Sequence, residues 1–308
     1  MTAPVRPLDL SVIIVSYNTR HHLARCLRAL PAATADLDSQ VIVVDNASRD
    51  GSLEMLRHDF PAVTVIANRD NVGFARACNA GLAAAEGRFL LLLNSDTVPA
   101  PGSLSALVRY ARAYPRAGAV GPRLRAADGK PARSCFYFPS LTRPYLNSAV
   151  FRRLFGDRFG LPYAWEHPCL RDGGAVDWLS GACLLLRREA LAAAGALDER
   201  YFMYFEDTDL CRRLWRAGWQ VVYWPAVEVV HEGGASARGH EGRLSVEHRR
   251  SALIYFSTHH GGVVYGVVRA ITVAAALSRA VPSLLRRRRE RLRVEASILG
   301  LGLRGVSR

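Results

Sequence analysis

Residues 10–16 read LSVIIVS and residues 40–44 read QVIVV, the second run closing on Asp45. Both are short, apolar and rich in β-branched side chains, the composition of a strand buried on both faces. Between them Leu23, Cys26, Leu27 and Leu30 recur at the spacing of one helix face over residues 20–31, with Pro31 expected to end the helix. A second helix opens at Asp50-Gly51-Ser52, with Ser52 as its candidate cap. Residues 63–67 read as a third strand, residues 71–85 as an alanine-rich helix, and residues 89–93 as a fourth strand ending at Asn94. This alternation predicts an α/β chain with a mostly parallel, doubly wound central sheet flanked by helices. Such a sheet places ligands at the carboxyl edge of its strands, and Asn18, Asp45 and Asp96 all follow strands directly.

Beyond that core the reading continues with a helix over 101–115, Pro101 near its first turn, and a short strand at 119–120 closed by Gly121-Pro122. Residues 123–175 mix Pro, Gly, Arg and aromatic residues without a usable period. Order returns at 176–187 (WLSGACLLLR within it), followed by a short helix over 188–195 and another over 207–217. A last strand covers 220–225, with 227–230 continuing its edge. The chain thus divides into residues 1–120 and 121–242, two halves of one domain, and a tail over 243–308.

Composition excludes several classes. Half of the 308 residues are hydrophobic, too many for a mostly disordered chain. Cysteines at 26, 78, 135, 169, 183 and 211 form no CxxC pair and no zinc spacing, so they read as small buried hydrophobes. No GxGxxG follows the first strand, and neither GxxxxGK[ST] nor GxSxG occurs. The net charge of +14 is uneven: from Arg243 onward 13 arginines face 3 glutamates, leaving only +4 for the first 242 residues. The N-terminus shows no charged-then-apolar signal pattern, so a cytoplasmic location is expected.

Four constellations can carry chemistry. Asp45 either ends a strand in a simple turn or accepts a hydrogen bond from the ring N–H of uracil or thymine. Asn94-Ser95-Asp96 either caps a turn before Pro99 or offers one carboxylate to a hard cation whose shell a diphosphate and water complete. Glu206-Asp207-Thr208-Asp209 either supplies acids to a helix N-terminus or holds a base strengthened by the apolar run before it. His231, ending VVYWPAVEVVH, is a metal ligand or a capping group.

Taken in order, SVIIVSYNTRHHLARCLRAL, VIVVDNASRDGS, NRDNVGFARACNAGL, LLLNSDT, SGACLLLRREAL and DERYFMYFEDTDLCRRLWRAGWQVVYWPAVEVVHEGG resemble glycosyltransferase family 2. More narrowly they resemble its rhamnosyltransferase-like bacterial branch, which uses dTDP-L-rhamnose. The resemblance spans about residues 9–240. It implies a GT-A fold, a nucleotide-diphosphate sugar donor bound by the first half, Mg²⁺ or Mn²⁺, and transfer with inversion to a glycan or lipid-linked glycan. It implies that Ser16, Tyr17, Asn18 and Asp45 hold the nucleotide and that Arg69, Asn71, Gly73 and Phe74 wrap the donor. Asn94, Ser95 and Asp96 fall on the DxD motif, with Asn in place of the first Asp, so the metal rests on Asp96 with His231. Trp178, Gly181, Ala182 and Glu206 border the acceptor, and Asp207 is the catalytic base. Related members transfer galactofuranose, glucose or N-acetyl sugars, and a non-catalytic subunit of the same fold is the contrasting class.

The tail has its own pattern. Residues 261–281 are apolar but contain Arg269 and Arg279, which argues against a simple membrane span. The block Arg286–Arg289 with Arg291 and Arg293, interleaved with leucines, suits a helix lying beside anionic lipid at the inner face of the cell membrane. Packing on the body, or on a second copy in a homo-oligomer, is the alternative. No reader motif for nucleic acid accompanies the arginines.

Overall fold

In the computed structural model, which describes residues 8–141, 173–233, 241–285 and 288–306, LSVIIVS is the strand β1 (Leu10–Ser16), with six of seven residues buried. Strands β2 (Ser39–Asp45) and β4 (Phe89–Asn94) flank it in parallel, and β3 (Thr64–Ala67) pairs with the outer side of β2. The leucines of β4 are almost wholly inaccessible, as expected where helices cover both faces of a sheet. Strand β10 (Cys183–Arg187) then lies antiparallel against β4, followed by β6 (Ala117–Arg125), β11 (Gln220–His231) and β5 (Thr97–Pro99). A short β8 (Gly174–Ala175) adds to β11, while β7 (Cys135–Phe136) and β9 (Trp178–Leu179) make a separate pair.

Helices α1 (Arg20–Ala33), α2 (Ser52–Asp59), α3 (Phe74–Ala83), α4 (Ser103–Ala113), α5 (Arg188–Ala194) and α6 (Glu206–Arg216) connect the strands. The result is the expected α/β layering, with a mixed, mostly parallel sheet. Arg187 shows how tightly the layers close. It is buried, and its guanidinium donates to the carbonyls of Ala111, Tyr114 and Ala117, satisfying the exposed end of α4. Burial holds its pKa below the usual arginine value.

Several boundaries differ from the sequence reading. Helix α1 passes Pro31 and ends at Ala33, because Thr34 still bonds the carbonyl of Leu30 through both its N–H and its hydroxyl, each at 2.9 Å. Ser52 is the first residue of α2 and not its cap. Its N–H and hydroxyl both donate to Asp50 Oδ1, and left-handed Gly51 (φ 80°) turns the chain. Helix α3 begins at Phe74, since the Asn71 side chain accepts the Gly73 N–H and closes a turn instead. Helix α4 starts at Ser103, after Pro101 and left-handed Gly102. Strand β6 does not stop at Gly121-Pro122. The parallel ladder continues through Tyr223↔Gly121 and Trp224↔Pro122, and a shift in β11 after Trp224 absorbs its irregularity.

By their contacts, residues 198–206 belong with the three C-terminal helices in a second compact unit. These are α7 (Glu241–His259), α8 (Gly262–Leu285) and α9 (Arg289–Arg304). Within it, α7 buries Leu253, Ile254 and Tyr255, its Ser251 hydroxyl donates to the Met203 carbonyl, and Phe205 packs on Tyr255. Tyr204 and Phe205 both hold left-handed backbone (φ 71° and 68°), a conformation that costs energy for aromatic residues and clusters at functional sites. The tail is therefore helical, as expected. Residues 142–172, in the segment without a readable period, lie outside the described residues.

The closest backbone approach in the first unit is at Gly87, where an added Cβ would lie 2.5 Å from the Ser11 nitrogen and 2.6 Å from the Leu10 carbonyl carbon. Gly87→Ala is expected to destabilise the fold by about 1–3 kcal/mol, read as a lower urea midpoint. An unchanged midpoint would show that β1 shifts freely and is not the fixed centre of the sheet.

Candidate active site

The sheet delivers its polar groups to one edge. Asp45, the last residue of β2, is fully buried; Ser48 N–H donates to its Oδ2 at 2.9 Å, whereas its buried Oδ1 has no hydrogen-bond partner among the described residues. A buried, unsatisfied carboxylate oxygen costs free energy until something donates to it. Ser16, at the end of neighbouring β1, bonds Thr19 at 3.0 Å, and Thr19 bonds Ser95 at 2.9 Å, forming a buried hydroxyl chain from β1 to the turn after β4. Tyr17 is half-buried beside it. Asn18 holds left-handed backbone (φ 53°) and exchanges hydrogen bonds with Ser48 and Arg49, closing the β1 and β2 loops on each other.

The loop between β3 and α3 is organised by a residue that the sequence reading passed over. Asn46 donates to Asn71 Oδ1 and the Gly73 carbonyl, and accepts from Asn68 and the Val72 N–H. All four bonds of one side chain hold the segment that carries Arg69, Asn71, Gly73 and Phe74. Gly73 adopts φ 91°, Arg69 is exposed, and Phe74 is half-buried at the start of α3. Thr19 was likewise missed. The visible signal for both was a polar residue directly following a strand-end motif.

Asn94-Ser95-Asp96 forms a tight turn between β4 and β5, not a helix cap. The hydroxyl of Thr97 donates to the Asn94 carbonyl at 2.7 Å. Because β5 pairs antiparallel with β11, His231 stands opposite Thr97. Its Nε2 lies 3.2 Å from Asp96 Oδ1 and 3.4 Å from the Asn94 side-chain amide. A carboxylate, an imidazole and an amide thus converge. Among the described residues no third His, Cys, Asp or Glu joins them. This donor set fits a divalent cation that takes its remaining ligands from a diphosphate and water. Glu232 anchors the arrangement: its N–H donates to the Asp96 carbonyl, and its carboxylate meets His22 at 2.7 Å and also Arg25, both on α1.

Asp207 lies in the first turn of α6. Gly181 N–H donates to its Oδ2 at 2.9 Å, and Thr208 donates to its Oδ1 through the backbone (2.7 Å) and the hydroxyl (3.2 Å). Burial of the carboxyl group raises its pKa above the ordinary carboxylate value, against the opposing pull of those bonds. Ala182, next to Gly181, gives its carbonyl to the Asn94 N–H at 3.0 Å, so the Asp207 loop and the Asp96 turn share one backbone joint. Trp178 stacks on Phe136 at 4.1 Å, and its indole N–H is taken by the Tyr137 carbonyl, leaving only its ring to meet a ligand. Glu206 is buried at the first position of α6, and Asp209 is held by Arg213 at 2.8 Å, a structural pair.

The sheet thus brings a carboxylate–imidazole–amide turn and the buried Asp207 carboxyl group together at one edge. A model of the family described as "Glycosyltransferase like family 2" matches residues 7–250, and the chain belongs to that family. N-acetylglucosaminyl-diphospho-decaprenol L-rhamnosyltransferase of Mycobacterium tuberculosis (strain ATCC 25618 / H37Rv) is 35% identical over 265 residues, covering 82% of this chain and 85% of that protein. Rhamnosyltransferase WbbL of Escherichia coli (strain K12) is 24% identical over 254 residues, covering 80% of this chain and 92% of its own. Among solved structures, the mannosyltransferase PcManGT from Pyrobaculum calidifontis, in complex with GDP-Man and Mn²⁺, superposes with a TM-score of 0.56 at 19% identity, over 97% of this chain and 87% of that one. The fold is thus that of GT-A enzymes, and the protein is a glycosyltransferase that uses a nucleotide-sugar donor.

Asp45→Asn keeps the shape of the strand end but removes the charge behind the unpaired oxygen. Nucleotide affinity by calorimetry is expected to fall at least about tenfold, the worth of one charged hydrogen bond. Unchanged affinity would remove Asp45 from the nucleotide site.

Proposed function

We propose that the protein transfers L-rhamnose from dTDP-L-rhamnose, with inversion, to a hydroxyl of a lipid-diphosphate-linked glycan precursor. The observation that carries the chemistry is Asp207: one desolvated carboxylate, oriented by Gly181 through the same loop that supports the Asp96 turn. The choice of sugar and acceptor is supported by the rhamnosyltransferase relative, which matches most of both chains. A pyrimidine base is supported by the unpaired Asp45 oxygen, which accepts a ring N–H. We place the reaction in the cytoplasm. Cys26, Cys183 and Cys211 are buried thiols, as a reducing compartment maintains, and burial pushes the Cys26 pKa up to about 12.

In this reading the acceptor oxygen attacks the anomeric carbon while the bond from that carbon to the diphosphate oxygen breaks, and the acceptor proton passes to Asp207. One base and no enzyme nucleophile give a single displacement, so a β-L-rhamnosyl donor yields an α-linked product. Asp96, His231 and Asn94 would hold Mg²⁺ or Mn²⁺, which offsets charge on the departing diphosphate. Gly181 N–H and Thr208 fix the carboxylate's orientation, so Asp207 needs no rearrangement to receive the proton.

The direct test supplies dTDP-L-rhamnose and a polyprenyl-diphosphate-linked N-acetylglucosamine and follows release of dTDP with formation of the rhamnosylated lipid. Release of pyrophosphate, or activity only with another sugar nucleotide, would overturn the assignment. Asp207→Asn is expected to lower kcat at least about 10²-fold, with donor affinity close to wild type. Because the Asp207 pKa is raised and the base must be ionised, the acid limb of the wild-type kcat/KM profile should lie above the ordinary carboxylate range. A loss under about threefold, set against that general-base contribution, would exclude this residue as the base. Separately, Asp96→Ala should abolish most transfer and EDTA should suppress the wild type, with a smaller loss in His231→Ala. Full turnover after exhaustive chelation would establish metal-independent transfer.

A further inference from the structure

Helix α8 is inside out for a water-soluble protein. Its buried residues are Thr272, Ala276 and Ser283, small or polar. Its large apolar side chains point away from the protein: Val263 is 84% exposed, Val281 60% and Leu285 80%, with Val267, Ile271 and Leu277 also exposed. At about 100° per residue these six positions fall in one stripe less than half the helix circumference wide, and the buried residues lie on the opposite side. An amphipathic helix packed for water turns its apolar stripe inward. This one turns it outward over a helix about 36 Å long.

The two arginines inside α8 lie off the stripe and have partners in α9. Arg269 donates to the carbonyls of Gly302, at 2.9 Å, and Leu303; Arg279 pairs with Glu295 at 2.8 Å. Gly302 lets the helices touch, since a Cβ there would come within 2.7 Å of Val273. Neither arginine therefore opposes contact between the outward face and an apolar medium. Crossing a bilayer is another matter. Helix α8 has the length and hydropathy to do so, but its partner α9 would carry Glu290, Arg291, Arg293 and Glu295 into the hydrocarbon. The pair fits the surface of a membrane and not its interior.

We propose that the outward stripe of α8 is a lipid-docking face, lying in the plane of a bilayer whose headgroups are anionic. Charge complementarity selects that occupant. Directly past Leu285 the chain carries exposed Arg288, Arg289, Arg291 and Arg293, beside which only Glu290 is negative. An apolar stripe bordered by arginines binds the headgroup boundary through buried area and through attraction to anionic lipid together.

The test is sedimentation of the full chain with phosphatidylcholine vesicles, with and without phosphatidylglycerol. Wild type should bind the phosphatidylglycerol vesicles, more weakly at high salt. The double variant Val267→Glu/Leu277→Glu should lose at least about tenfold in vesicle affinity, because it charges the outward stripe. Arg288→Glu/Arg289→Glu should lose about tenfold or more on anionic vesicles alone. If the stripe variant fails to fold, Val281→Trp in the otherwise wild-type chain replaces it, and brominated acyl chains should quench the added fluorescence. No wild-type binding, no effect of the stripe variant, or no quenching would overturn the proposal. A wild-type dimer that the stripe variant converts to monomer, without vesicle binding, would assign the face to a second copy.

Discussion

The polar edge of the sheet depends on a reversal of direction between β4 and β10. Strands β1, β2, β3 and β4 run parallel, so their carboxyl ends, with Ser16, Asp45 and Asn94, lie along one edge. Strand β10 runs the other way, so its beginning arrives at that same edge. The bond from Asn94 N–H to the Ala182 carbonyl is where the two directions meet. From there Gly181 reaches Asp207 and Asn94 leads to Asp96. An all-parallel sheet would have sent the start of β10 to the far edge and left Gly181 separated from the Asp96 turn by the length of a strand.

The strands were legible because burial on two faces leaves an unmistakable composition: LSVIIVS was read to the residue, and FLLLL to within one. What escaped the sequence was decided by partners distant along the chain. Nothing in residues 119–122 signals that β6 continues through a proline; the reason is the ladder with Tyr223 and Trp224, a hundred residues away. Asn46 and Thr19 looked like ordinary loop residues, because a hydrogen-bond hub is visible only when its acceptors are in place. Arg269 and Arg279 interrupt an apolar run in one dimension, and only in three dimensions are their partners in α9 visible.

The site separates its tasks by local environment. Asp45 is buried with one oxygen satisfied and one left for a ligand. Asp96 faces an imidazole and an amide. Burial raises the Asp207 pKa, while hydrogen-bond donors from Gly181 and Thr208 fix its geometry. The three carboxylates therefore stand in three different local environments along one edge of the sheet. The Asn at the first position of the DxD turn fits this division. It lowers the negative charge next to His231 and leaves Asp96 as the one carboxylate of that group.

The hub at Asn46 also makes the 68–73 loop depend on the chemistry of one amide group. Its amide nitrogen points at two acceptors, Asn71 Oδ1 and the Gly73 carbonyl, while its oxygen serves two donors. Asn46→Asp, a change of one atom, would leave no donor to face those two acceptors and would set carboxylate oxygens against them. The 68–73 loop would lose its tie to the strand end, although every strand of the sheet stayed paired, so the loop's place is set by the difference between an amide nitrogen and an oxygen.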